Sequence, residues 1–180
     1  MPADRIIPPP PPGWASKEDE EERGALFASQ RGWERLMAEA LAEAHKALES
    51  AEVPVGAVVV DAQGQIIGRG HNSPVTANDP SGHAEINAMR EAAQSLGNYR
   101  LGGAYLVVTL EPCLMCAGAA VHSRLAGVVY GARDPKAGAV ESCLAALDLP
   151  FHNHQPWHMG GIMEKECAAL LSDFFAERRE

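Results

Sequence analysis

Residues 105–132 read YLVVTLEPCLMCAGAAVHSRLAGVVYGA. Tyr105 to Thr109 is a strongly apolar, β-branched run of the kind that forms a buried strand. Pro112 stands where a first helical turn tolerates proline, and the small apolar residues behind it predict a helix to about Arg124. A second apolar run, Gly127 to Ala132, follows immediately and reads as another strand. Strand, helix and strand in so short a span are the working unit of a layered α/β domain.

The flanking sequence extends the same pattern. Leu36, Met37, Ala40, Leu41, Ala44 and Leu48 recur at helical spacing between Arg31 and Ser50. Val55 to Val60, the turn Asp61-Ala62-Gln63-Gly64 and the run Gln65 to His71 read as a hairpin, and Pro74 and Pro80 mark a loop. Ala84 to Leu96, Ala137 to Leu147 and Glu164 to Arg178 are predicted helices, and Pro150 to Gly161 is predicted irregular. No internal repeat is present. A hairpin followed by alternating helices and strands predicts a three-layer α/β/α domain around a central mixed sheet.

The chain has 180 residues, enough for one domain with its own core, and 46% of them are apolar. No stretch approaches the roughly 18 uninterrupted apolar residues of a membrane span, so a soluble protein with no membrane partner is expected. The formal net charge is −9. General polyanion binding draws on Lys and Arg displacing counterions along phosphates, so no DNA partner is expected and any nucleic-acid contact must be local. Six of the 13 prolines fall in the first twelve residues, and Glu18 to Glu22 is an unbroken acidic run. Residues 1–28 are therefore expected to form a disordered arm, with residues 29–180 as the folded domain. Three basic residues oppose six acids in the arm, which leaves the body at −6. Four cysteines are too few and too unevenly spaced for a disulfide framework, and the N-terminus carries no signal core, so a reducing, cytoplasmic setting is expected.

Two short signals carry the chemistry: His83-Ala84-Glu85 and Pro112-Cys113-Leu114-Met115-Cys116. Each opens a predicted helix, where unpaired backbone N–H groups stabilise thiolates and Cys-x-x-Cys spacing turns both sulfurs to one point. Zinc takes thiolate and imidazole ligands tetrahedrally, and a site with three protein ligands keeps its fourth position for water or substrate. His83, Cys113 and Cys116 supply three. Glu85, two residues from the histidine, is placed to accept and return protons without being a ligand. Water activation beside a proton-carrying carboxylate points to hydrolytic deamination. Two other readings of the cysteines are a redox pair and a structural zinc completed by Cys143 or His154. The first lacks a thioredoxin-like setting, and the second lacks another paired ligand motif. Cys143 and Cys167, on apolar helical stretches, are expected as small core hydrophobes. His152, His154 and His158 lie in the irregular segment and are expected on the surface rather than at a second metal.

At these residues the sequence closely resembles the bacterial-type tRNA-specific adenosine deaminases of the cytidine-deaminase-like superfamily. The resemblance spans about residues 31–180. It rests on Pro54-Val55-Gly56-Ala57-Val58, Asn72 ahead of Asp79-Pro80, His83-Ala84-Glu85-Ile86, Thr109 to Ala119, and Gly131-Ala132-Arg133-Asp134-x-Lys136-x-Gly138. It implies a cytidine-deaminase-like fold, one Zn2+ per subunit held by His83, Cys113 and Cys116, Glu85 as proton shuttle, and a homodimer. It further implies that Asn72 hydrogen-bonds the purine, that the Ala84 and Cys113 backbones orient the reacting centre, and that Val53 and Leu110 wall the pocket. Asp134 is expected at the nucleotide sugar or flanking backbone, or else as a turn cap. The implied substrate is the wobble adenosine of a tRNA anticodon loop, converted to inosine. A loop base costs little to splay out, which suits an acidic protein.

Val140 to Leu144, Val-Glu-Ser-Cys-Leu, departs from the string that usually follows Gly138-Ala139 in that family. Arg124, Arg133 and Lys136 are candidate local cations for an RNA backbone. The alternatives are a deaminase of free nucleobase or nucleoside, guanine or cytosine type, with the same zinc chemistry, and a catalytically silent subunit that keeps zinc for folding. An intact Glu85 opposes the last.

Overall fold

The computed structural model describes residues 29–178; residues 179–180 and residues 1–28, where the sequence predicts the arm, lie outside the described residues. Helix α1 (Gln30–Glu49) starts at Ser29, whose side chain accepts the Gly32 N–H at 3.2 Å and so satisfies one of the helix's unpaired donors. The hairpin follows as β1 (Gly56–Val60) and β2 (Ile66–His71). Next come α2 (Ala84–Leu96), β3 (Tyr105–Leu110), α3 (Leu114–His122) and β4 (Gly127–Ala132). A short 3-10 turn (Ala146–Asp148), β5 (Trp157–Met159) and α4 (Glu164–Glu177) complete the chain.

The strands form one five-stranded sheet in the order β2-β1-β3-β4-β5. β1 is antiparallel to β2 and β3, whereas β3, β4 and β5 run parallel. The mixed sheet follows from the chain: a tight turn can only join antiparallel neighbours, while α3 supplies the crossover that parallel β3 and β4 require. Side-chain alternation then builds two cores. Ala57 and Val59 of β1 and Leu106 and Val108 of β3 face Ala84, Ala88, Ala92, Ala117 and Ala120 of α2 and α3. Val58, Val60 and Val107 face Trp33, Leu36, Met37 and Ala40 of α1 together with Cys167 of α4. The result is the expected α/β/α sandwich. No helix among the described residues is long and apolar enough to cross a membrane.

Small residues bring α2 unusually close to its strand. A Cβ on Gly68 would overlap Ala88 O and Ala92 N, and one on Gly70 would overlap Ala84 O and Ala88 N. These two glycines seat the first turns of α2 directly on β2 and so fix the height at which His83 and Glu85 stand.

Five local expectations are corrected. Ala137 to Leu147 is not a helix but a series of turns ending in the 3-10 turn. The N–H groups of Val140, Glu141 and Ser142 all point to the Glu111 carboxylate, so a tertiary acceptor captures the donors that a helix would use. The irregular segment contains β5, too short to show a pattern, held in register by pairing with β4. Pro112 lies ahead of the cap, since Cys113 is the N-cap of α3 and Leu114 its first residue. Cys143 is exposed on the turns rather than buried, whereas Cys167 is buried as expected. The three clustered histidines are half-buried tethers: His152 Nε2 lies 2.8 Å from Ala146 O, His154 Nε2 2.6 Å from Leu125 O, and His158 Nε2 3.1 Å from Asp148.

Candidate metal centre and substrate pocket

His83 is the N-cap of α2 and Cys113 the N-cap of α3, both with extended backbone, while Cys116 sits in the first turn of α3. The cap position turns each side chain back over its helix start, so two helices converge their N-termini on one point. Cys113 Sγ and Cys116 Sγ each lie 3.6 Å from His83 Nδ1. All three ligand atoms fall within 4.8 Å of one another, and they are the one such group among the described residues. Tetrahedral bonds of about 2.3 Å to sulfur and about 2.0–2.1 Å to nitrogen would separate sulfur from nitrogen by about 3.6 Å. The donor set and its spacing therefore fit zinc.

The electrostatics agree with that fit. The Cys116 thiol hydrogen-bonds Cys113 and, with the His83 imidazole, outweighs burial to bring the Cys113 thiol down to about 4. Cys116 is pushed up in turn by the Cys113 sulfur and by burial. A site that already favours one thiolate beside an imidazole is prepared for a soft divalent cation.

Glu85 is only 4% exposed, on the first turn of α2. Burial pushes its carboxyl up to about 7, against the pull of its own backbone N–H and of His83. A carboxyl poised near neutrality beside a three-donor group suits proton transfer in both directions.

Asn72 directly follows β2. Its Oδ1 accepts the Ala84 N–H at 2.9 Å, and its own N–H reaches Val55 O at 3.1 Å. Because Ala84 N–H needs an acceptor, the amide orientation is fixed and Nδ2 is the polar atom left to donate elsewhere. The Ala84 backbone N–H is itself committed to Asn72. Val53 and Leu110 are partly buried against the core that contains Ala84.

Asp134 lies beyond β4, and its Oδ1 accepts from the N–H groups of Lys136 and Ala137 at 2.9 and 3.2 Å. It caps its own turn and retains a second carboxylate oxygen. Of the candidate cations, Arg133 is paired with Glu141 at 2.8 Å and Arg124 with Asn153 at 2.5 Å. Lys136 has no ion pair among the described residues.

The profile described as the cytidine and deoxycytidylate deaminase zinc-binding region matches residues 31–132, which include all three donors and Glu85. The tRNA-specific adenosine deaminase of Haemophilus influenzae is 47% identical over 147 residues, 82% of this chain and 85% of that protein. The chain belongs to the tRNA-specific adenosine deaminase family. A structure solved in a study of A-to-I editing by tRNA:A34 deaminases at the wobble position of transfer RNA superposes with a TM-score of 0.73. It is 46% identical, and the match covers 76% of this chain and 99% of that one. Guanine deaminase of Bacillus subtilis shares the fold at a TM-score of 0.54 and 32% identity, over 82% of this chain and 94% of that one.

In this tRNA-specific adenosine deaminase family member, one buried group went unassigned by the sequence. Glu111, 2% exposed, accepts from the backbone N–H of Asp134 at 3.0 Å, of Val140 at 3.2 Å, and of Glu141 and Ser142 at 2.8 Å each, and also from the Ser142 hydroxyl. Burial alone would raise its carboxyl, but these donors hold it below its ordinary range. A carboxylate between an apolar strand and Pro112-Cys113, with no cation near it in sequence, was the available signal.

Proposed function

We propose that this protein is a zinc-dependent hydrolase that converts adenosine to inosine at the wobble position of a tRNA anticodon, acting in the cytoplasm as a homodimer. The observation that carries the reading is the buried Glu85 carboxyl beside the His83, Cys113 and Cys116 donor group, in a chain 47% identical to a tRNA-specific adenosine deaminase. His83 Nδ1 and the Cys113 and Cys116 sulfurs would hold the zinc, which would supply the Lewis acidity that makes water nucleophilic at neutral pH. Glu85 accepts a proton from the attacking water and delivers it to the departing nitrogen. Oxygen adds at C6, the C6–N6 bond breaks, and ammonia and inosine leave. Asn72 Nδ2 donates to an acceptor on the purine, Val53 and Leu110 close the pocket sides, and the second oxygen of Asp134 accepts from a sugar hydroxyl.

The dimer reading draws support from α3, where Leu114 is 59% and Met115 39% exposed beside the metal-ligand turn. Apolar side chains in water next to a functional site favour a covering partner.

The test is to incubate zinc-quantified protein separately with an anticodon stem-loop bearing a wobble adenosine and with free adenosine, guanine and cytidine. Inosine from the stem-loop alone is expected. Ammonia only from a free base or nucleoside would transfer the protein to the free-nucleobase reading, and silence with all four would leave a non-catalytic subunit.

A further inference from the structure

Asn72 reaches the site from the end of β2, while His83 and Glu85 reach it from the start of α2. A purine bound between them requires the two elements to hold a fixed register. Backbone bonds secure the segment around Asn72 to its neighbours: Asn72 N–H to Val55 O and Ser73 N–H to Gly82 O at 2.9 Å. One side chain joins it to the body of α2. Asn87 Nδ2 donates to His71 O at 2.9 Å and to Ser73 Oγ at 3.0 Å, gripping the residues on either side of Asn72.

Asn87 stands one turn after His83, and its own N–H bonds His83 O at 3.0 Å. The residue that grips the flanks of Asn72 is thus built on the helical turn that carries the histidine donor. The grip also has a defined orientation. His71 O can only accept, so the amide nitrogen of Asn87 must face it, just as Ala84 N–H fixes the oxygen of Asn72. Two amides with opposite assignments therefore lock one strand end to one helix start, and Asn72 Nδ2 is left to donate.

We propose that Asn87 is a positioning residue that sets the reach of Asn72 relative to the metal ligands and thereby tunes purine turnover. It touches neither substrate nor metal and acts only through Asn72. The inference rests on the substrate role of Asn72 given above. A displacement of about 1 Å at a group that orients a reacting base can cost up to about 100-fold in rate.

A double-mutant cycle with Asn72→Ala and Asn87→Ala tests it, reading kcat/KM on the anticodon stem-loop together with bound zinc. Asn87→Ala is expected to lower kcat/KM about 10- to 100-fold in the parent and less than about twofold in the Asn72→Ala background, with zinc retained in both. A purely structural role would move both backgrounds by the same factor, and that result overturns the proposal. So does an Asn87→Ala enzyme that works at the parental rate. An Asn72→Ala enzyme with parental activity overturns the Asn72 role and this inference together. If Asn87→Ala does not fold or hold zinc, Ser73→Ala removes one of the two bonds from outside the helix and enters the same cycle. It is expected to cost about threefold in the parent and nothing measurable beside Asn72→Ala, and additivity there overturns the proposal equally. If the parent leaves the stem-loop untouched, the tRNA reading fails by itself, and the cycle is run on whichever free purine yields ammonia, with the same criteria. Silence of the parent on every substrate overturns both.

Discussion

Glu111 Oε2 accepts the backbone N–H of Asp134 at 3.0 Å, joining the residue ahead of the Pro112-Cys113 turn to the loop beyond β4. Its other oxygen gathers the N–H groups of Val140, Glu141 and Ser142. One buried carboxylate thus holds the Asp134 loop against the Pro112-Cys113 turn, and the loop's own capping by Asp134 Oδ1 completes its shape.

Replacing Glu111 by Ala removes a charged acceptor from four backbone donors. Water can replace it at the exposed Glu141 and Ser142 but not at the buried Val140. The expected cost is about 3 kcal/mol of stability, which in a domain of this size lowers Tm by roughly 6–12 °C. Thermal denaturation of both proteins checks this. Bound zinc is expected to stay stoichiometric while kcat/KM on the stem-loop falls, because the donor group is left intact and the Asp134 loop is not.

Gly138 belongs to the same junction. A Cβ there would overlap the Glu111 carboxyl and Asp134 O, neither of which can yield without breaking the bonds just described. Gly138→Ala is expected to match Glu111→Ala in loss of stability, and the double variant to be clearly less than additive. Chemical denaturation of the two single variants and the double variant measures that coupling. Full additivity would mean the two residues do not share one junction.

Much of this was legible in the sequence, for identifiable reasons. The strands of residues 105–110 and 127–132 are continuous apolar runs, and the donors of the metal group lie in two short motifs at helix starts, so local pattern alone locates them. The turns of residues 137–147 were not legible. Their composition permits a helix, and a carboxylate some thirty positions upstream overrides it by capturing three N–H groups. β5 escaped because three residues carry no periodicity. Its place comes from parallel pairing with β4 and from Trp157 lying 6.2 Å, centroid to centroid, from Trp33. Asn87 was silent because an asparagine on a helix is ordinary until the strand end it grips is in view.

Glu85→Gln preserves size and burial but abolishes proton exchange. The variant is expected to keep its zinc and its Tm while losing roughly 10²- to 10⁴-fold in kcat, the usual contribution of a positioned general acid–base group. Metal analysis alongside single-turnover deamination checks it. Retained activity with retained metal would remove Glu85 from the reaction.

The four cysteines separate into three chemical classes, and thiol labelling distinguishes them. Cys143 is exposed and is expected to react rapidly with a maleimide or an aromatic disulfide at pH 8. Cys167 is 1% exposed, and burial pushes its thiol up to about 12, so at pH 8 only about one molecule in ten thousand carries the reactive thiolate. It is expected to stay unlabelled until the protein unfolds. Cys113 and Cys116 are expected to resist labelling in the zinc-loaded protein; once a chelator removes the metal, the half-buried Cys113, its thiol down at about 4, is expected to react while the buried Cys116, its thiol pushed up, stays slow, with activity lost in step and restored by added zinc. The count of fast-reacting thiols should therefore rise from one to two on chelation. A protein that labels at Cys113 as well as Cys143 before chelation and deaminates undiminished would show that the Cys113 sulfur holds no metal in the working enzyme.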